Sequence, residues 1–217
     1  MSVSVKKRNG RGTESLNLEK IHNMVEEACK GITGVSASQV EMQSGIQFYD
    51  GISTAEIQDI LIKSASDLIT LDNPNYQFVA ARLLLFALRK SLYGRMREMP
   101  SLEEHITKLA YKDLYDKEIF DKYSKEEIDK VETFLDHDRD LKFTYAGLRQ
   151  VVDKYLVQDR STGEVYETPQ FMYIMIALTM FRNYPKETRL DYVRRYYDAI
   201  SRHRINIPTP IMAGVRT

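Results

Sequence analysis

At 217 residues, with 43% hydrophobic and 10% aromatic side chains, the chain fits a globular protein with one large or two small apolar cores. Its 31 Lys and Arg residues balance 31 Asp and Glu residues, so no net field recruits a polyanion and nucleic acid is not expected as a partner. Cys29 is the single cysteine and permits no internal disulfide, and the longest apolar run, residues 171–180, is about half of what a bilayer span requires. With a polar, basic start that offers no secretory leader, the expectation is a cytoplasmic protein outside the membrane.

In chain order, Val3 and Val5 alternate with polar residues before Arg8-Asn9-Gly10-Arg11-Gly12 and the stretch from Thr13 to Leu16. This predicts a β-hairpin in which Asn-Gly supplies positive φ. Asn17 stands at an N-cap, and Ile21, Met24, Val25 and Ala28 recur at helical spacing until Gly31. A second helix starts at Ser36, with Gln39 completing a capping box and Gly45 limiting or kinking it. Ser53 and Glu56 form another box ahead of Ile57, Ile60, Leu61, Ser64 and Leu68, the face of a third helix. Asn73-Pro74 offers a cap and a first-turn proline to a fourth helix through Phe78, Ala81, Leu85, Leu88 and Leu92, stopping near Gly94.

The charged stretch 95–100 ends in proline and marks a junction, giving one domain at residues 1–94 and a second at 95–217. Amphipathic helices are expected at 102–110, 125–135 and 145–152. Tyr155-Leu156-Val157, Ser161-Thr162-Gly163 and Val165-Tyr166 read as a second hairpin, and Pro169 opens a buried, largely apolar helix through Phe181. A last helix runs from Pro185 to Ile200, after which Pro208 and Pro210 are expected to forbid regular helix.

Lys7, Arg8, Lys20 and Lys90 could converge on one anion, and a triphosphate would suit them, because charge-assisted N–H donors and the free amides of the Asn17 helix point at phosphate oxygens. The plainer alternative is four solvated surface charges. There is no P-loop, and Gly10-x-Gly12 lacks a dinucleotide-fold context, so any nucleotide site is of another kind. Asp136-His137-Asp138-Arg139-Asp140 offers metal-ligand types, but adjacent ligands rarely converge on one ion, and a solvated turn with no metal is the expectation. Arg194-Arg195 and Arg202-His203-Arg204 read as a surface face or an intersubunit contact.

The segments Val5-Lys6-Lys7-Arg8-Asn9-Gly10, Glu14 through Ile21, and Tyr76-Gln77-Phe78-Val79-Ala80-Ala81-Arg82-Leu83 resemble the ATP-cone of ribonucleotide reductases. Tyr155-Leu156-Val157, Thr162-Gly163-Glu164, Glu167-Thr168-Pro169-Gln170-Phe171 and the terminal 208–217 stretch are similar to the large subunit of class I members, which reduce ribonucleoside diphosphates. The resemblance implies a mainly α fold: an ATP-cone, made of a β-hairpin and a four-helix module, followed by the helical N-terminal region of the large subunit with its second small hairpin.

It also implies roles. ATP or dATP, with Mg²⁺, would bind as overall-activity effectors. Lys7 and Arg8 would hold phosphates, Glu14, Ser15, Leu16, Asn17, Leu18, Glu19 and Lys20 would line the site, and Thr54 and Lys90 would close it. Val5, Leu16, Ile21 and Ile57 would form the base pocket, and Thr209 would touch the substrate ribonucleotide. Glu56 replaces an aspartate and Gln58 a histidine of well-studied bacterial members, and the hairpin turn is one residue longer, so ATP binding transfers more directly than dATP inhibition.

No catalytic residue is expected on this chain, since the family's radical and reducing cysteines are not among its residues and Cys29 falls on a cone helix. The expected partners are a remaining large-subunit fragment carrying the barrel and the catalytic cysteines, and the small radical-generating beta subunit. The helix 171–181 with Tyr192, Tyr196 and Tyr197 would present an apolar face to that fragment. Two rival readings are a free-standing nucleotide-sensing regulator, whose zinc ribbon one cysteine cannot supply, and a structural piece whose cone no longer binds nucleotide.

Overall fold

In the computed structural model, which describes residues 3–7 and 12–217, the alternating start of the chain forms β1 (Ser4–Lys6) and β2 (Thr13–Ser15), antiparallel with Val5 opposite Glu14. Arg8, Asn9 and Gly10, expected at the turn, lie outside the described residues. Lys7 N donates to Gly12 O at 3.1 Å, and Gly12 takes φ +94°, a conformation open to a residue without Cβ. Helix α1 (Leu18–Cys29) follows, its first turn closed by Asn17 Oδ1 accepting from Lys20 N at 3.0 Å, with Ile21, Met24, Val25 and Ala28 buried along one face. Gly31 ends it at φ +71°.

Helix α2 (Ala37–Gly45) begins at Ser36, whose hydroxyl accepts from Gln39 N. The reciprocal half of the expected capping box is not direct. Tyr76 OH accepts from Ser36 N at 3.0 Å and donates to the Gln39 side chain, so a buried phenol from α4 (Tyr76–Tyr93) bridges the box. Between α2 and α3 (Thr54–Asp67) lies β3 (Ile52–Ser53), parallel to β1 with Val5 beside Ile52, making a three-stranded sheet of order β2-β1-β3. The sequence reading missed it because two residues cannot display an alternation. Ser53 and Glu56 form the full box predicted for α3. Helix α4 starts at Tyr76, since Pro74 and Asn75 make tight-turn bonds to Gln77 N and Phe78 N instead, and Gly94 follows its end at φ +73°. Burial of Val79, Leu83, Leu85, Leu61 and Val25 ties these helices together, at about 1.5–3 kcal/mol for each large side chain.

The chain divides into two compact units, Met1–Lys90 with Leu141–Arg149, and Ser91–Asp140 with Gln150–Thr217. In the first, Leu141 O accepts from Arg82 Nε at 3.3 Å. The second is built on α5 (Leu102–Tyr111), α6 (Glu118–Lys122), α7 (Lys125–Glu132), α9 (Pro169–Phe181), α10 (Lys186–Ser201) and α11 (Thr209–Gly214), while a 3₁₀ turn (His137–Lys142) and α8 (Tyr145–Lys154) each have residues in both units. Two details differ from expectation. The residues after Tyr155 form a turn with a single bridge, Gln158 to Val165, because the Glu167 carboxylate takes Val157 N and the Asp159 carboxylate takes Ser161 N and Thr162 N. Helix α11 forms despite Pro210, which occupies the first helical turn, where its missing N–H has no intrahelical acceptor to lose.

The 136–140 stretch is not the solvated turn that its composition suggests. Arg139 and Asp140 are buried, with Arg139 Nη1 donating to Ser201 Oγ at 2.6 Å, Nη2 pairing with Asp198 at 2.7 Å, and Asp140 accepting from Gln170 at 2.8 Å. Partners distant in sequence satisfy these groups. Among the described residues, no three His, Cys, Asp or Glu side chains gather as a metal-holding group. The apolar face expected along 171–181 is also mostly covered within the chain: Phe171 through Leu178 and Tyr197 are buried, and only Met180, Tyr184 and Tyr192 are notably exposed at that end.

Candidate functional site

The hairpin, the start of α1, the start of α3 and the end of α4 enclose a small, half-open cleft of about 120 Å³. Val5, Ile21, Met24 and Ile57 are buried and supply an apolar floor, while Glu14, Ser15, Asn17, Lys20, Thr54 and Lys90 line it with polar groups. Leu16 and Gln58 complete the lining. Each arrives there for a local reason. Val5 points inward from β1 by strand alternation, Ile21 and Met24 share a face of α1 at i and i+3, and Thr54 and Ile57 do the same on α3.

The charged rim is loosely held. Lys7 Nζ lies 3.4 Å and Lys20 Nζ 4.0 Å from the Glu14 carboxylate, with side chains 43% and 71% exposed. Exposed pairs of this kind contribute about 0–1 kcal/mol, so both ammonium groups can exchange Glu14 for a more highly charged oxyanion at small cost. Lys90 Nζ lies 3.6 Å from Met24 Sδ at the cleft wall. Asn17 commits its side chain to the α1 cap, and the α1 amides before Lys20 precede the first intrahelical bonds, so they have no acceptor within the helix.

Of the residues singled out from the sequence, Val5, Glu14, Ser15, Leu16, Asn17, Lys20, Ile21, Thr54, Ile57 and Lys90 meet in this cleft. Lys7 stands beside it through Glu14. Leu18 and Glu19 sit in the first turn of α1 outside the lining set, Leu18 being 66% exposed, and Arg8 lies outside the described residues. Thr209 belongs to the other unit, where it is exposed at the start of α11 with Oγ1 3.4 Å from Tyr155 OH.

The sequence reading gave Met24 no site role and noted Gln58 only as a departure from the family's histidine. Gln58 is buried, and its Nε2 donates to Leu83 O at 3.3 Å and Met24 Sδ at 3.3 Å. Met24 was visible only as one of four apolar positions on α1. Nothing in that pattern separates a core methionine from a cleft-lining one.

Glu56, two residues before Gln58, faces solvent rather than the cleft. Hydrogen bonds from Ser53 and from Tyr49 OH hold its carboxyl down at about 2. It is an α3 capping group by its contacts. Cys29 is half-buried, and burial raises its thiol to about 11, so it is protonated and a poor nucleophile at neutral pH.

Residues 3–91 match the ATP cone domain and residues 141–217 match the ribonucleotide reductase all-alpha domain. The chain is 52% identical over 216 residues to ribonucleoside-diphosphate reductase 1 subunit alpha of Escherichia coli, covering 100% of this chain and 28% of that protein. It is 42% identical over 207 residues to the ribonucleoside-diphosphate reductase subunit alpha of Enterobacteria phage T4, covering 94% of this chain and 27% of that one. Over 215 residues it is 32% identical to the Helicobacter pylori subunit alpha, covering 99% and 26%. The chain therefore spans little more than a quarter of the length of these relatives. Among the described residues no helix is long and apolar enough to cross a membrane. An ATP cone followed by the reductase all-alpha domain, matched end to end by these alpha subunits, makes the chain a member of the class I ribonucleotide reductase alpha-subunit family, spanning its N-terminal region.

Proposed function

We propose that this chain is the effector-sensing and structural N-terminal part of a cytoplasmic ribonucleoside-diphosphate reductase large subunit. ATP or dATP, accompanied by Mg²⁺ on its phosphates, occupies the cleft and sets overall activity. Residues 1–94 act as the cone and 95–217 as the start of the catalytic subunit. The remaining large-subunit portion supplies the barrel and the redox cysteines, and the small beta subunit supplies the radical. No residue here is assigned a catalytic role.

One observation carries the reading: an apolar floor of Val5, Ile21, Met24 and Ile57 lies next to a cationic rim with Lys20 and Lys90, the two kinds of surface that a base and a triphosphate need side by side. Lys7 and Lys20 exchange Glu14 for phosphate, the first-turn amides of Leu18 and Glu19 add donors, and Thr54 and Lys90 close the site. Arg8 would add a further phosphate contact. Mg²⁺ offsets charge that would otherwise repel Glu14. Thr209, on the other unit, faces the substrate ribonucleotide with its hydroxyl.

Isothermal titration with ATP and dATP in the presence of Mg²⁺ tests this. Saturable heat with one transition, abolished or weakened at least tenfold by Lys7→Ala with Lys90→Ala, is the expected result. Absence of heat with either nucleotide leaves a structural segment whose cone binds nothing.

A further inference from the structure

Helix α11 carries Thr209 yet buries no side chain of its own. What docks it is Arg216, just beyond its end, whose side chain is wholly buried. Its guanidinium donates to Met212 O at the end of α11, to Tyr155 O at 2.6 Å, and to the Glu167 carboxylate, with Nε at 3.1 and 3.2 Å from its two oxygens. Glu167 is equally buried and also accepts from Val157 N at 2.7 Å and Tyr115 OH at 2.5 Å. His105 Nε2 donates to Tyr115 OH at 3.0 Å, and Arg216 O accepts from Asp116 N at 3.0 Å.

A buried ion pair is a poor way to gain stability, because apolar residues of the same volume serve as well. A guanidinium fixed on all sides does supply geometry: its planar donors lock the directions of every group that they meet. Here those groups are the α11 carbonyl and the backbone of Tyr155, and the Tyr155 hydroxyl lies 3.4 Å from Thr209 Oγ1. The pair thus ties both partners of that hydroxyl contact to one buried centre.

We propose that Glu167 and Arg216 are positioning residues for substrate: they seat α11 against Tyr155 so that Thr209 presents its hydroxyl to the ribonucleoside diphosphate. The inference rests on the reading of Thr209 as a substrate contact. Substrate affinity, rather than the chemical step, is what the pair controls.

The test uses the complete large subunit with its beta subunit and CDP as substrate. Glu167→Gln and Arg216→Met are expected to raise KM for CDP about tenfold while changing kcat less than about twofold, and Arg216→Lys recovers part of the loss, since losing one uncharged hydrogen bond to the substrate weakens binding by up to about this factor. Loss of kcat and thermal stability with KM unchanged would overturn the proposal, because a merely structural pair acts only through the folded fraction. Thr209→Ala separates the two layers: an unchanged KM there refutes the substrate reading itself, whereas a raised KM there with none in the Glu167 and Arg216 variants refutes only the positioning. Hydrogen exchange on the 217-residue chain with Glu167→Gln provides a check independent of turnover. The Ile211 and Met212 amides, bonded to Pro208 O at 3.0 and 3.1 Å, are expected to exchange about tenfold faster while those of α9 stay protected; unchanged protection of α11 would also overturn it.

Discussion

Acidification should destabilise the second unit through one imidazole. His105 is 1% exposed, stacked on Phe171 with ring centroids 3.8 Å apart, and donates from Nε2 to Tyr115 OH. Burial, reinforced by the charges of His137 and Lys108, holds its pKa at about 3 against an ordinary value of 6.5. The unfolded chain therefore binds a proton that the folded chain refuses, and the stability contributed above pH 6.5 is lost as pH falls towards 3. Linkage between those two values gives about 2 kcal/mol lost from pH 7 to pH 5, and an upper bound of about 5 kcal/mol once both states are protonated. For a chain of this size the first figure corresponds to about 4–8 °C in Tm. Urea unfolding by circular dichroism at pH 7 and pH 5 should be compared with His105→Gln, which keeps an N–H donor but does not titrate. The variant will be less stable throughout, having lost the ring stack, but its stability should fall less steeply by about 2 kcal/mol. Parallel decline in both proteins would refute the argument, as would an NMR titration in which the His105 ring protonates near pH 6.

Ser53→Ala removes the acceptor for Glu56 N and one of the groups holding the Glu56 carboxyl low; about 1 kcal/mol of stability should be lost, read as a drop of a few degrees in Tm. Tyr76→Phe strands Ser36 N and the Gln39 side chain, costing about 1–3 kcal/mol and raising hydrogen exchange in α2 before any other helix of its unit. Arg189→Met leaves the Glu127 carboxylate half-partnered beside Tyr123, and about 3–5 kcal/mol should disappear from the second unit in denaturant titrations, with Glu127→Gln less harmful. Gly31→Ala meets no atom within 4 Å, so its cost of about 1–2 kcal/mol comes from φ +71° alone.

Helices were legible where local chemistry repeats. Asn17, Ser36 and Ser53 cap as their positions require, and the apolar faces of α1 and α3 are the ones that pack. Much of the cleft was legible only because the chain resembles a known family: Val5, Lys20, Thr54 and Lys90 are far apart in sequence, and no periodicity links them. What escaped the sequence reading depends on partners distant along the chain. β3 exists because β1 offers it a ladder, the Ser36 box closes through a phenol 40 residues away, and Arg139 is buried because Ser201 and Asp198 await it. Pro210 misled because the rule that proline breaks helices holds for interiors, and Pro210 sits in a first turn.

The cleft also bounds how strong an effector switch can be. ATP and dATP differ by one ribose hydroxyl, and a single hydrogen bond made by it contributes about 0.5–1.5 kcal/mol net, or about a twofold to thirteenfold difference in affinity. A ligand moves a conformational equilibrium only by its differential affinity for the two states, so opposing responses to the two nucleotides require assemblies whose free energies already lie within that margin. On the proposed reading, Lys7, Lys20 and Lys90 would meet the same triphosphate in either nucleotide and so would set affinity without setting discrimination. Discrimination would then arise between them and the apolar floor, where that reading puts the ribose. Gln58 has its amide nitrogen already committed to Leu83 O and Met24 Sδ, which leaves its carbonyl oxygen as an acceptor suited to a hydroxyl. Replacing it with leucine should therefore narrow the ratio of ATP to dATP affinity while leaving the triphosphate contribution intact; an unchanged ratio in calorimetry would place the recognition of the hydroxyl elsewhere in the cleft.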